Sequence, residues 1–214
     1  MSRTQYYEQL KARAREVRAQ FGFVTPKVGR SDLRKIFKHH GITFDLWPIK
    51  NERSPAKFKK LRGAFFYDDL GAAIMVNRYL KNEPAIFTMA HEFKHFLFDR
   101  DVGSVLCSDN NRDDKIEIGA EIFAAELIFP DQDFRSCMAE MEVSRGHCTP
   151  ETLVRLKRRY QATLSYASLV KKATFLEFAT HEVFVGVRWR KLEEDIFGEP
   201  IYKKIHRSKK NTEK

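Results

Sequence analysis

The sequence predicts an α+β protein: a small sheet drawn from residues 42–77, packed beside two helices at 83–100 and 113–130, with further helices around it. Three observations predict it. Between 42 and 77, short stretches with strand character are broken by Gly and Asp turn signals. The two segments that follow have a helical pattern, and 83–100 carries apolar residues at a spacing near 3.6. Segments near both ends of the chain, at 4–20 and 149–179, also read as helices. At 214 residues the chain is long enough to bury a core without disulfides or a metal.

Taken in order, residues 4–20 form a charged amphipathic helix, with Tyr7, Leu10, Ala14 and Val17 at helical spacing. The TPKVGR break follows, and Ser31 is placed as the N-cap of a helix that ends before Gly41. ITFDLWPI (42–49) reads as a strand, and 51–60 as a polar connector. GAFFYDD and GAAIMVN (63–77) read as two short strands around a turn at Asp68–Gly71. Pro84 suits a helix start, and Ile86, Met89, Ala90, Phe93 and Leu97 make an apolar stripe through 83–100. A polar loop is expected at 101–113. The helix 113–130 stops at Pro130, and 149–179 divides into two helices, the first opened by Thr149–Pro150 and the second capped by Thr163 or Ser165. HEVFVGVRWR (181–190) alternates Val183, Val185, Val187 and Trp189 and is expected to be a strand. The basic end of the chain is expected to fray.

Composition excludes several classes. Mean hydropathy is −0.50, and no run approaches the roughly 18 apolar residues of a membrane span. The first twenty residues are charged throughout, which predicts no secretory signal. Cys107, Cys137 and Cys148 include no CxxC pair, which excludes a disulfide scaffold or a cysteine zinc ribbon and predicts a reducing cytoplasmic setting. The net charge of +10 is uneven: residues 1–62 carry 16 Lys/Arg against 5 Asp/Glu, residues 63–150 carry 8 against 16, and residues 151–214 carry 15 against 8. Basic arms flank an acidic middle. Without a nucleic-acid motif in the arms, solvated faces are the favoured reading over nucleic-acid binding.

His91-Glu92-Phe93-Lys94-His95 is an HExxH motif on the helix at 83–100. Spacing of i,i+4 puts both imidazoles on one face, a turn apart, where two nitrogens can meet one Zn²⁺. Glu92 is displaced around the helix, placed to reach a water beside the metal. A catalytic zinc usually has three protein ligands. Glu117, Glu121 and Glu126 on the next helix are the candidates for the third. Glu117 also ends an Asp114-Lys-Ile-Glu117 capping-box pattern, an alternative that would occupy it with helix amides. Gly119 and Ala120 keep that helix slim enough to approach its neighbour.

IMVN followed by FTMAHEFKHFLF (87–98), IEIGAEIFAAELIFP (116–130) and LKRRYQATLSYASLVKKATFLEF (156–178) together resemble the ImmA/IrrE metallopeptidases, over about Arg62 to Glu177. The resemblance implies a zincin-like core in which zinc is held by His91, His95 and Glu117, with Glu92 as catalytic acid/base. It implies a zinc endopeptidase acting on a protein substrate, a helix-turn-helix repressor or similar regulator. It also sets domain expectations: a basic helical arm at 1–30, the metallopeptidase core at 31–146, a helical pair at 147–180, and a strand with a basic tail at 181–214. Three positions depart from the family pattern. Glu121 stands where an Asn is usual, Lys94 where a glycine precedes the second histidine, and the arginine usually found shortly before FTxAH is absent. Tyr67, Tyr160, His147 and His181 are candidates for a second oxyanion donor, each also explicable as a structural residue. The competing reading is a non-catalytic regulator that binds DNA, or a repressor or antitoxin, through its basic arms.

Overall fold

The computed structural model describes residues 2–49, 61–102, 104–107 and 115–199. The expected connector at 51–60, most of the loop expected at 101–113, Asp114 and the C-terminal tail lie outside them. The chain divides into two units, residues 1–134 with 160–165, and residues 135–159 with 166–214.

The first unit opens with α1 (Arg3–Phe21). Ser2 and Gln5 close a capping box at its start: Gln5 N–H donates to Ser2 Oγ at 3.2 Å, and Ser2 N–H to Gln5 Oε1 at 2.9 Å. Gly22, at φ +69°, ends it with an N–H turned back onto the carbonyls of Arg18 and Ala19. α2 (Arg30–His39) is capped by Gly29, not Ser31. Asp32 accepts from the Gly29 N–H at 2.9 Å, so the helix begins one residue before the serine that was expected to cap it.

The sheet has four strands in the order β1 (Thr43–Trp47), β3 (Gly71–Asn77), β2 (Gly63–Asp68) and β4 (Ser104–Cys107). β3 runs parallel to β1 and antiparallel to β2, and Phe65 sits opposite Ile74. β4 pairs with β2, so part of the segment expected as a loop extends the sheet. Ser-Val-Leu-Cys is only four residues long inside an otherwise polar run, so it carries little strand signal of its own, and the edge of β2 supplies the pairing. On β3, Ala72, Ile74 and Val76 alternate into the core.

α3 (Asn82–Phe98) lies across β2 and β3, and α4 (Lys115–Ile128) packs between α3 and α1. Leu10, Ala14 and Val17 of α1 are completely buried. The expected N-terminal arm is therefore a wall of the first unit. Its cations have internal partners: Lys11 meets Asp131 at 2.9 Å and Arg15 meets Glu126 at 2.8 Å. Arg18 Nη1 donates to the Leu127 and Ile128 carbonyls at the end of α4 at 2.9 and 3.2 Å.

A further helix, α5 (Asp131–Glu140), follows Pro130 directly, and nothing in the sequence reading anticipated it. In the second unit, α6 (Pro150–Arg159) and α7 (Tyr166–Phe175) are the expected pair. The expected strand at 181–190 is instead a 3₁₀ turn at His181–Phe184 followed by α8 (Trp189–Phe197). Among the described residues this unit offers no strand to pair with. Trp189 stacks on Tyr166 at 4.5 Å, and Tyr166 Oη donates to Glu193 at 2.6 Å, which draws the segment into helix. Cys137 and Cys148 are unbonded and buried, and burial pushes the Cys148 thiol up to about 12.

Candidate metal centre

α3 is held so firmly that even its polar side chains are enclosed. Phe93 stacks on Phe96 at 5.8 Å and meets Phe37 of α2 and Phe123 of α4 at about the same separation, 6.0 and 6.1 Å. Residues 88–96 are all buried. This packing fixes the rotation of the helix about its axis, and with it the direction of His91 and His95. Their ring centroids lie 5.1 Å apart.

Glu117, in the first turn of α4, reaches both. Its Oε2 is 3.1 Å from His91 Nε2, and its Oε1 is 3.5 Å from His95 Nε2. The three donor atoms lie within 4.8 Å of one another, and all three residues are buried. A tetrahedral zinc with bonds of about 2.0–2.1 Å separates its ligand atoms by about 3.3 Å. The donor set and its spacing both fit such an ion.

Of the other two candidates for the third ligand, Glu126 is turned away. It takes Arg15 on one oxygen and the Asp131 N–H on the other, at 2.8 and 2.9 Å. Glu121 is half-buried, and among the described residues the cluster is His91, His95 and Glu117. The capping pattern that competed for Glu117 depends on Asp114, outside the described residues.

Glu92 is completely buried. Its Oε1 lies against Gly63 at the start of β2, where any β-carbon would run into both Glu92 Oε1 and Thr88 Cγ2. Helix and strand approach closely there because residue 63 has no side chain.

Asp99 went unnoticed in the sequence. Just past the end of α3, its Oδ2 is 2.7 Å from His95 Nδ1. A carboxylate on Nδ1 settles the tautomer and leaves Nε2 as a lone pair toward Glu117. Burial alone would raise the Asp99 carboxyl, but the hydrogen bonds from His95 and Lys94 outweigh it and hold it below the usual range. Burial pulls the His95 imidazole below its ordinary value, reinforced by His91 and Lys94 and opposed by Asp99. Burial thus favours the neutral imidazole, the form that binds metal. The signal for Asp99 was present as an i,i+4 carboxylate after His95, a spacing easily read as a helix end.

Tyr67 of β2 lies beneath the Arg100 guanidinium at 5.8 Å and is partly exposed. Tyr160 belongs to the first unit. His147 and His181 belong to the second, where His147 Nδ1 is 2.8 Å from the Arg145 carbonyl.

A buried two-histidine, one-carboxylate group on two packed helices beside a small sheet defines a protein equipped to hold a divalent metal. The model of the IrrE N-terminal-like domain, peptidase family M78, matches residues 53–172, more than half of the chain, and the protein belongs to that family. A solved structure described as a Mycobacterium tuberculosis transcriptional regulator is similar in fold, with a TM-score of 0.50 at 16% identity. The match covers 80% of this chain but spans only 50% of the regulator's chain. No curated protein matches the chain. Among the described residues, no helix is long and apolar enough to cross a membrane.

Proposed function

We propose that the protein is a zinc-dependent endopeptidase with a zincin-like core, and that its substrate is a protein, a helix-turn-helix repressor or related regulator. One observation carries the reading. The buried His91 and His95 of α3 meet the buried Glu117 of α4, and α3 also carries a fully buried glutamate, Glu92, next in sequence to His91.

His91 and His95 would hold the ion through Nε2, and Glu117 through its carboxylate. Zinc bound there supplies a Lewis acid that activates water and polarises a carbonyl. Asp99 keeps His95 in the metal-binding tautomer. Glu92, held against β2, takes a proton from the attacking water and returns it to the leaving amine. The burial of His91, His95, Glu117 and Glu92 limits contact with bulk water and strengthens these charge interactions. The regulatory substrate rests on the family resemblance, and the description of the structural neighbour is in keeping with it.

The test has two parts. Elemental analysis should find about one zinc per chain in the wild type and in Glu121→Ala, and little in Glu117→Ala. Glu92→Gln should keep the zinc and lose cleavage of a co-expressed repressor by a factor of about 10² or more. Cleavage at the wild-type rate by Glu92→Gln would overturn the mechanism. A zinc-free wild type, even after zinc is supplied, would overturn the centre and turn attention to the non-catalytic reading.

A further inference from the structure

Lys94 is the least expected side chain at the centre. It is completely buried, yet it lies between the two histidines in sequence. Its Nζ donates to Asp99 Oδ2 at 2.7 Å, the oxygen that also takes His95 Nδ1. It donates as well to the carbonyl of Ile116 at 3.2 Å, and Ile116 is next to Glu117. Nζ also lies 5.9 Å from the ring of Tyr6 in α1, a favourable neighbour for a cation.

A lysine is an unfavourable way to fill a core on stability grounds alone. Desolvating the charges offsets most of what the pairing returns, and apolar groups in place of both Lys94 and its carboxylate partner are often as good or better. What an ammonium adds is direction. The aromatic packing fixes the rotation of α3, but apolar contacts are not directional and do not by themselves fix where the first turn of α4, which carries Glu117, sits along it. A hydrogen-bonding group that reaches both helices removes that freedom.

We propose that Lys94 is a positioning residue for the metal centre. It aligns two of the three ligands at once, His95 through Asp99 and Glu117 through the Ile116 carbonyl. This rests on the zinc reading above. With Lys94 in place the ligand atoms are preset at the spacing a tetrahedral ion needs, so binding requires little rearrangement.

The experiment measures metal binding rather than catalysis. Zinc affinity of the stripped protein is read by competition with a chromophoric chelator, and ligand geometry by the visible absorption of the Co²⁺-loaded form. Lys94→Met keeps the volume and removes the ammonium. It should weaken zinc binding by about 10–100-fold, the usual cost of losing an outer-shell partner. It should also alter the Co²⁺ spectrum, and the metal-free protein should melt at a lower temperature, because the buried Asp99 carboxylate and the Ile116 carbonyl lose the ammonium. A folded Lys94→Met with zinc affinity within about threefold of wild type, and the same Co²⁺ spectrum, would overturn the inference and leave the zinc reading intact. A wild type that binds no zinc would overturn both. If Lys94→Met does not fold, the wild type decides, through NMR of its side-chain-labelled lysines. One ammonium protected from exchange, whose signal moves when zinc is added, is the expected result. The absence of any protected ammonium would overturn the inference.

Discussion

Gly63 and His40 show how much single positions control here. A methyl group at residue 63 has no room between β2 and the side chains of Glu92 and Thr88. Gly63→Ala should therefore cost about 1–3 kcal/mol by overpacking. It should also push Glu92 aside, so that, on the function proposed above, cleavage falls much further than bound zinc; equal losses would mean the damage is general unfolding. His40 follows α2 with Phe21, His39, Phe93 and Phe96 around its ring. Burial lowers its affinity for a proton, as do the neighbouring charges of His39, Arg13 and Arg100. The folded protein thus takes up this proton less readily than the unfolded chain does. The stability contribution is complete above the ordinary histidine value of 6.5 and is lost as pH falls from there toward the folded value. Urea titrations of the metal-free protein at pH 7.5 and 5.5 should show the loss, and His40→Leu should reduce it. An identical pH response in wild type and variant would assign the sensitivity elsewhere.

At the scale of elements, the contact between α1 and α4 shapes the unit that holds the metal centre. Gly119 lets α1 approach: a β-carbon there would sit 2.9 Å from Leu10 and 3.1 Å from Tyr6. Arg18 then closes the far end, satisfying two carbonyls of α4, and through Nη2 the Thr25 carbonyl and Asp133, at 3.2 and 3.3 Å. Arg18→Met should destabilise the protein by about 3 kcal/mol, because it leaves buried acceptors without donors. Equilibrium unfolding would measure this, and a change below about 0.5 kcal/mol would show that water replaces the guanidinium. Helix existence was legible here because periodicity is local. α5 and β4 were not. α5 follows a proline that already signals a stop, and β4 is a strand only because β2 has an unpaired edge.

At the scale of the whole molecule, the family match begins at residue 53, downstream of α1 and α2. Yet α1 covers α4, and α2 packs on α3. A fragment of residues 53–172 should therefore lack fixed tertiary structure. Near-ultraviolet circular dichroism and dye binding would detect that, and a cooperative melt in the fragment would contradict it. The same packing revises the reading of charge. Five of the sixteen cations in residues 1–62 lie on α1, and three of them, Lys11, Arg15 and Arg18, are turned to acidic partners and carbonyls within the first unit. A charge count along the chain does not distinguish such residues from a solvated or nucleic-acid-binding face.

The sequence by itself determined what depends on neighbours along the chain. The spacing of His91 and His95 places both on one face of a helix whatever surrounds it, and the alternation in 63–77 forms a hairpin because its turn is local. Spacing left three carboxylates open as the third ligand, the resemblance pointed to Glu117, and the packing of α4 on α3 brings Glu117 to the histidines; tertiary structure alone decided that Asp99 orients His95, that Lys94 reaches both helices, and that residue 63 must lack a side chain. It also turned the alternating valines of 181–190 into a 3₁₀ turn and helix. The physical reason is the same in each case. Spacing fixes direction within one element, whereas ligand distance, close approach and strand pairing depend on how separate elements pack, and that packing is set by core contacts between residues far apart in the chain.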